Sequence, residues 1–236
     1  IVHVPIFEGL FSLNSNLEII PAIAVAAPVI TDGGSTLTYT LREGVTFQDG
    51  HEVNADDVLF SWLGYLNPET GSQQSATLAG YIGNDITFKW LNGTETRLVI
   101  DFGAGTWAYP ATTETGTRVA SVEAVDELTV RFEIADFEGL GAPAATFYGE
   151  GDGCVILPMH LLGEVPFADW KTSVFNTGTG TLDIGGYTVV GPTGAGPYKY
   201  VSYSATTGLI TEAKYDNYWN ATALEAIIWG KGPPMT

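Results

Sequence analysis

An α/β chain, with strands and helices sharing one core, is what this sequence predicts, and three stretches carry that prediction. Leu37 to Pro68 reads as strand, turn and helix. Val119 to Ile134 and Tyr198 to Tyr215 each read as two strands joined by a short turn.

In the first stretch, Leu37, Tyr39 and Leu41 alternate with Thr38 and Thr40, the period of a half-buried strand. After Arg42-Glu43-Gly44, Val45 and Phe47 alternate in the same way with Thr46 and Gln48. Asp49-Gly50 is a turn signal, because both residues tolerate left-handed backbone geometry. A helix starts at Asn54, whose side chain can cap the N–H groups near Asp57. Asp56 and Asp57 sit where the helix dipole favours negative charge. Val58, Leu59, Trp62, Leu63 and Leu66 form one apolar stripe, and Asn67-Pro68 ends the helix.

Upstream, Asn14-Ser15-Asn16 and Asp32-Gly33-Gly34 are turns. Downstream, Ser72 to Gly80 suits helix or loop, Arg97 to Phe102 a strand, and Gly103 to Thr117 a loop. Leu128, Val130, Phe132 and Ile134 alternate with polar residues, and Asp126-Glu127 separates them from the strand Val119–Val125. Pro158 marks a helix start. Phe175 to Gly196 is Gly- and Thr-rich, a loop around one strand, Tyr187–Val190. The strands Tyr198–Tyr203 and Leu209–Tyr215 form a second hairpin, and Leu224–Trp229 is a last strand.

The 236 residues suffice for one large domain or two small ones, and the 45% apolar content supports a sizeable core. No run approaches the roughly 20 apolar residues of a membrane span. No charged-then-apolar leader opens the chain, so a targeting segment is expected to be absent or removed. With 27 acidic and 9 basic residues, the net charge of −18 excludes a basic nucleic-acid footprint and disfavours anionic membranes. A solvated acidic surface accounts for it, and an extracellular, archaeal or otherwise extremophile source in high salt is the expectation. Cys154 is the single cysteine, so no internal disulfide forms. Asn92-Gly93-Thr94 and Asn220-Ala221-Thr222 are glycosylation sequons that matter only in an exported protein.

Catalytic chemistry finds little support. His3, His51 and His160 match no zinc spacing, and His51-Glu52 lacks a second histidine. Asp152, Cys154 and His160 offer a metal or nucleophile set by residue type alone, but Cys154 opens an apolar run and reads as core. No G-x-S-x-G occurs. Gly191-Pro192-Thr193-Gly194-Ala195-Gly196 lacks the Lys-Ser/Thr ending of a phosphate loop, and Pro197 removes a backbone donor; a tight turn before a strand explains it better. Asp56/Asp57 and Asp126/Glu127 belong to a helix start and a turn. No cofactor is implied, and the chain is expected not to be an enzyme. Most of the 6 Trp and 11 Tyr read as core, with a few available to line a ligand cleft.

One string is more specific than its parts. The order LTYTLREGVTFQDG, a short gap and NADDVLFSW resembles the signature of extracellular solute-binding proteins of family 5, the oligopeptide, dipeptide and nickel type that serves ABC importers. Ile6-Phe7-Glu8-Gly9-Leu10 is similar to that family's YEGL element, and Leu17 to Ala24 to its G-x-I-x-P-x-L-A. Val122 to Phe132, Ile156 to His160, Gly194 to Tyr198 and Tyr215 to Trp219 resemble further family motifs in family order. The resemblance runs from about Ile6 to Trp229 but covers only the first half of the family's usual length, so a fragment is expected.

The resemblance implies an α/β fold of the periplasmic-binding-protein type II kind. This chain would hold lobe I with its inserted mixed α/β subdomain, and the second lobe would be missing. The expected division places residues 1–10 and 166–236 in lobe I and 11–165 in the subdomain. It implies capture of a solute, peptide first, outside the cell or in the periplasm, with an ABC permease as partner. Membrane attachment would come only through an anchor outside this chain. The implied cleft-facing residues are Phe7, Glu8, Gly9 and Tyr81. A surface interaction or sensory module that kept the fold without transport is the alternative.

Overall fold

The computed structural model describes residues 5–14, 16, 18–72, 75–100, 119–134 and 154–222. In chain order, β1 (Phe11–Leu13), β2 (Ile19–Pro21), β3 (Val29–Thr31) and β4 (Thr36–Thr40) precede helices α1 (Ala55–Leu66) and α2 (Ser75–Ile82). Strands β5 (Asp85–Lys89), β6 (Glu95–Val99), β7 (Val119–Asp126) and β8 (Thr129–Glu133) follow. Short helices α3 (Met159–Leu162) and α4 (Val174–Thr177) then lead to β9 (Leu182–Ile184), β10 (Tyr187–Val189), β11 (Tyr198–Ser204) and β12 (Leu209–Lys214).

Six strands form one mixed sheet in the order β3-β4-β8-β7-β5-β6. All neighbours are antiparallel except β5 and β7, which run parallel with Ile86 opposite Ala120 and Phe88 opposite Val122. The alternation of β4 works as its sequence demands: Leu37 and Tyr39 are buried opposite Phe132 and Val130 of β8. Helix α1 packs on β7 and β8, with Trp62 edge-on to Phe132 at 5.2 Å between ring centres. Tyr39 meets the same Phe132 ring at 5.5 Å. Burial of each such aromatic contributes on the order of 1.5–3 kcal/mol.

The start of α1 is a capping box. The Asn54 side chain accepts from the Asp56 and Asp57 N–H groups, and Asp57 Oδ2 accepts from the Asn54 N–H at 3.0 Å. The helix is buried beyond its expected stripe, because Phe60, Ser61 and Gly64 are also covered. Ser61 Oγ donates to the Asp57 carbonyl and accepts from the Leu157 N–H, and the Trp170 ring lies over Gly64. The sheet covers one side of α1, and the chain around 155–170 covers the other.

Several expectations need correction. Val45 to Gln48 is not a strand; it is a tight loop closed by a Thr46–Glu52 bridge, with Gly50 at φ +94 in the turn. The ladder ends there because Phe47 N–H donates to the nearby His51 carbonyl rather than to a neighbouring strand. The strand expected at Arg97–Phe102 lies at Glu95–Val99, paired with β5 across the Asn92-Gly93 turn. Phe175 to Gly196 holds two strands, β9 and β10, joined through Gly185-Gly186. The helix after Pro158 lasts one turn. His3, Gly103–Thr117, Asp152 and Leu224–Trp229 lie outside the described residues. Among the described residues no helix is long and apolar enough to cross a membrane.

Candidate ligand-binding site

Two separated motifs of the sequence meet in space. Glu8 Oε1 accepts from the Tyr218 hydroxyl at 2.8 Å, and its Oε2 accepts from Trp219 Nε1 at 2.6 Å. Burial raises the Glu8 carboxyl above the usual range, and the Trp219 and Tyr218 hydrogen bonds and the Arg42 charge oppose it only in part. Arg42 lies over the Trp219 ring at 4.4 Å and donates from Nε to the Ala22 carbonyl. Gly9 forms a bridge with Val155 and its carbonyl accepts from Ile23 N–H. Glu8 and Gly9 therefore fix the course of the chain just after Phe7.

Phe7 is buried, with its ring 5.9 Å from that of Phe175. Both rings line a cavity of about 380 Å3. Tyr65, Val155, Leu157, Leu162 and Trp170 complete the apolar lining, and Thr70, Lys171, Ser173 and Asn176 supply polar groups. Trp170 is held by its Nε1 donating to the Val165 carbonyl and by the Phe60 and Phe167 rings at 5.5 and 5.0 Å. The Tyr65 hydroxyl accepts from Val155 N–H, and burial pushes its pKa up. Tyr81 lies on α2, and its side chain is outside the described residues. Among the described side chains of the expected site residues, Phe7 lines the cavity.

A second, smaller recess of about 120 Å3 lies between Gln48-Asp49 and the 190–193 loop. Beside it the structure assembles a cluster that no spacing announced. His160 Nε2 is 2.6 Å from Asp49 Oδ2, and the His160 ring stacks on His51 at 4.0 Å. Burial alone would raise the Asp49 carboxyl, but the His160 hydrogen bond, the His51 N–H and the two imidazoles together hold it below its ordinary value. Burial and the neighbouring His160 lower the His51 pKa. Among the described residues no group of three or more His, Cys, Asp or Glu is placed to hold a metal. Cys154 is buried in the main apolar cluster, as its flanking residues predict.

The Gly191–Gly196 loop serves packing. A Cβ on Gly194 would come within 2.3 Å of the Ile6 carbonyl, and one on Gly196 within 2.6 Å of the Pro5 carbonyl. Only glycine lets these backbones approach so closely. Gln48 secures the same junction: its Nε2 faces the carbonyls of Ile6, Gly196 and Tyr198, and its Oε1 accepts from Gly194 N–H.

An apolar cavity with a few polar groups at its rim has the composition typical of small-molecule sites. The chain belongs to the bacterial extracellular solute-binding proteins, family 5, whose middle-region model matches residues 18–234. It is 42% identical over 73 residues to Protein XP55 of Streptomyces lividans, covering 31% of this chain and 13% of that protein. It is 23% identical over 199 residues to the oligopeptide-binding protein AppA of Bacillus subtilis, covering 84% of this chain and 26% of the relative. Among solved structures, Bacillus subtilis AppA in complex with a nonapeptide superposes with a TM-score of 0.60 at 22% identity, over 92% of this chain and 32% of that one. NikZ from Campylobacter jejuni in complex with Ni(L-His) also gives 0.60, at 20% identity over 91% of this chain and 31% of its own. These likenesses establish the periplasmic-binding-protein type II fold. The chain spans about a third of the length of those neighbours and 13% and 26% of these two relatives.

Proposed function

We propose that this chain forms one wall of the solute cleft of an extracellular or periplasmic capture protein that delivers peptide to an ABC permease. The match to the solute-binding family over residues 18–234 carries this reading. Its homologues are binding proteins rather than enzymes, and one is named as a periplasmic murein peptide-binding protein. The cavity beside Phe7 is the place on this wall for part of a solute. Glu8 and Gly9 support it by holding the chain, and Tyr81 remains a proposed contact from α2.

We also propose the division into residues 1–10 with 166–236, and 11–165. In its favour, Ile6, Phe7, Phe175, Ile184 and Val189 of the first unit share one apolar cluster, which Phe60, Leu161 and Leu162 of the second border, while the sheet and the rest of α1 hold the main one. Attachment to the membrane through an anchor elsewhere in the protein, and a high-salt, archaeal source, belong to the same reading. Calorimetry and thermal shift of the full-length protein with a mixed peptide library test it. Heat of binding and a raised midpoint are expected; no response to any peptide, sugar or metal would overturn it.

A further inference from the structure

We infer that the cavity beside Phe7 selects a ligand group that is apolar and carries a carboxylate, with Lys171 as the recognising cation. The inference rests on the solute-capture reading and names the chemistry of the same site.

The floor of the cavity is hydrocarbon and aromatic, built from Phe7, Leu157, Leu162, Trp170 and Phe175. Its volume of about 380 Å3 lies at the low end of the range of roughly 300–1,000 Å3 for small-molecule sites. That suits one aromatic or branched group with a short polar end.

The rim decides what that polar end is. Three rim groups already have partners. Thr70 Oγ1 donates to the Gly64 and Asn67 carbonyls, Ser173 Oγ donates to the Trp170 carbonyl, and the Tyr65 hydroxyl accepts from Val155 N–H. Asn176 Nδ2 donates to the Lys171 carbonyl and so steadies that residue's backbone. Lys171 is different. Among the described residues no carboxylate lies within ion-pair distance of its ammonium, in a chain with 27 acidic residues.

The Lys171 side chain also has a berth. It lies over Gly71, where a Cβ would come within 2.2 Å of Nζ and 2.5 Å of Cε. Gly71 stands at φ +65, a conformation that itself favours glycine. The lysine is thus placed at the mouth of an apolar hole with its charge uncommitted. Among the described residues no carboxylate lines the cavity to compete for it. The net charge of −18 disfavours anions at long range, but the Debye length of about 8 Å at physiological salt screens distant charges and leaves a direct contact with Lys171 effective.

Two sources share this chemistry: the C-terminal residue of a peptide and a free apolar carboxylic acid. Titration calorimetry of the full-length protein with Ala-Ala-Phe, its C-terminal amide and 3-phenylpropanoate separates them. The acid peptide is expected to bind about tenfold tighter than the amide, as one charge-assisted contact provides. Lys171→Met, which keeps the packing over Gly71, should remove that preference, and Lys171→Arg should keep it. Binding of 3-phenylpropanoate as tightly as the peptide assigns the free acid; much weaker binding assigns the peptide terminus. Equal affinity for acid and amide, a preference that survives Lys171→Met, or no binding of any of the three overturns the inference. Binding of the acid and the amide alike would leave solute capture standing, so the two readings fail separately.

Discussion

Asp57 holds two jobs with one carboxylate. Its Oδ2 closes the capping box on Asn54, and its Oδ1 accepts from Met159 N–H at 2.9 Å, joining the start of α1 to the start of α3. Burial pushes its pKa up to about 6, against those two backbone hydrogen bonds. In the unfolded chain the group titrates near 3.9. Between about pH 4 and 6 the folded chain therefore holds a proton that the unfolded chain has released, so this residue's contribution to stability falls as pH rises through that window. A shift of about two units corresponds to about 3 kcal/mol at most. Asp57→Asn should show a shallower loss of stability than the parent from pH 4 to 6, read from denaturant midpoints at each pH. Identical slopes would show that the carboxyl does not titrate in this window. The N-terminal acidic cap was legible in the sequence from Asn54 and its spacing to Asp57. The bond to Met159 was not, because nothing local to 54–57 points to a residue 102 positions away.

At the scale of the element, α1 shows how an apolar stripe understates burial. Val58, Leu59, Trp62, Leu63 and Leu66 announce one face, and all five are buried. Gly64 sits on the other side, where helix propensity alone would favour alanine by about 1 kcal/mol. A Cβ there would lie 2.5 Å from Trp170 Cη2, on a ring pinned by its bond to Val165. Gly64→Ala should therefore destabilise the protein despite its better propensity, and adding Trp170→Leu should recover part of the loss. A stabilising Gly64→Ala would mean that the ring moves aside freely. The strands divide in the same way. The alternation in β4, β7, β8, β11 and β12 is clear because each has one buried and one open face or a marked turn. β5 escaped notice although Ile86 and Phe88 alternate, since Asp85 and Lys89 blunt its ends and Asn92-Gly93 reads as a sequon before it reads as a hairpin turn.

Across the whole molecule, a single polar side chain ties the N-terminal segment, the 194–196 loop and β11 together. Gln48→Ala removes bonds to Ile6, Gly194, Gly196 and Tyr198 at once and leaves partly buried backbone groups without partners. A loss of about 2–4 kcal/mol is expected in urea unfolding; a loss under about 0.5 kcal/mol would show that water replaces the amide without penalty. Tyr215 adds a second tie, donating to the Phe47 carbonyl at 2.8 Å beside Thr46. Charge acts at the same scale. With a net charge of −18, self-repulsion opposes the folded state, so the thermal midpoint should rise between low salt and about 0.15 M and climb further toward 1 M. A flat response would count against a protein adapted to high salt.

By itself the sequence determined the cap and main stripe of α1, the β7–β8 and β11–β12 hairpins, the burial of Cys154 and the family. Each of these rests on residues a few positions apart, or on the order of such motifs along the chain. Only the tertiary structure decided that β5 lies parallel to β7, that Asp49, His51 and His160 gather beside one loop, and that Phe7, Tyr65, Leu157 and Trp170 enclose one cavity. Those groups come from distant segments, and no local periodicity records which distant surfaces fit together. Side-chain shape and hydrogen-bond partners settle that choice once the segments pack. For this reason Phe7 could be proposed as a cleft residue from a motif, whereas Lys171 enters the proposal only through the place its side chain takes over Gly71.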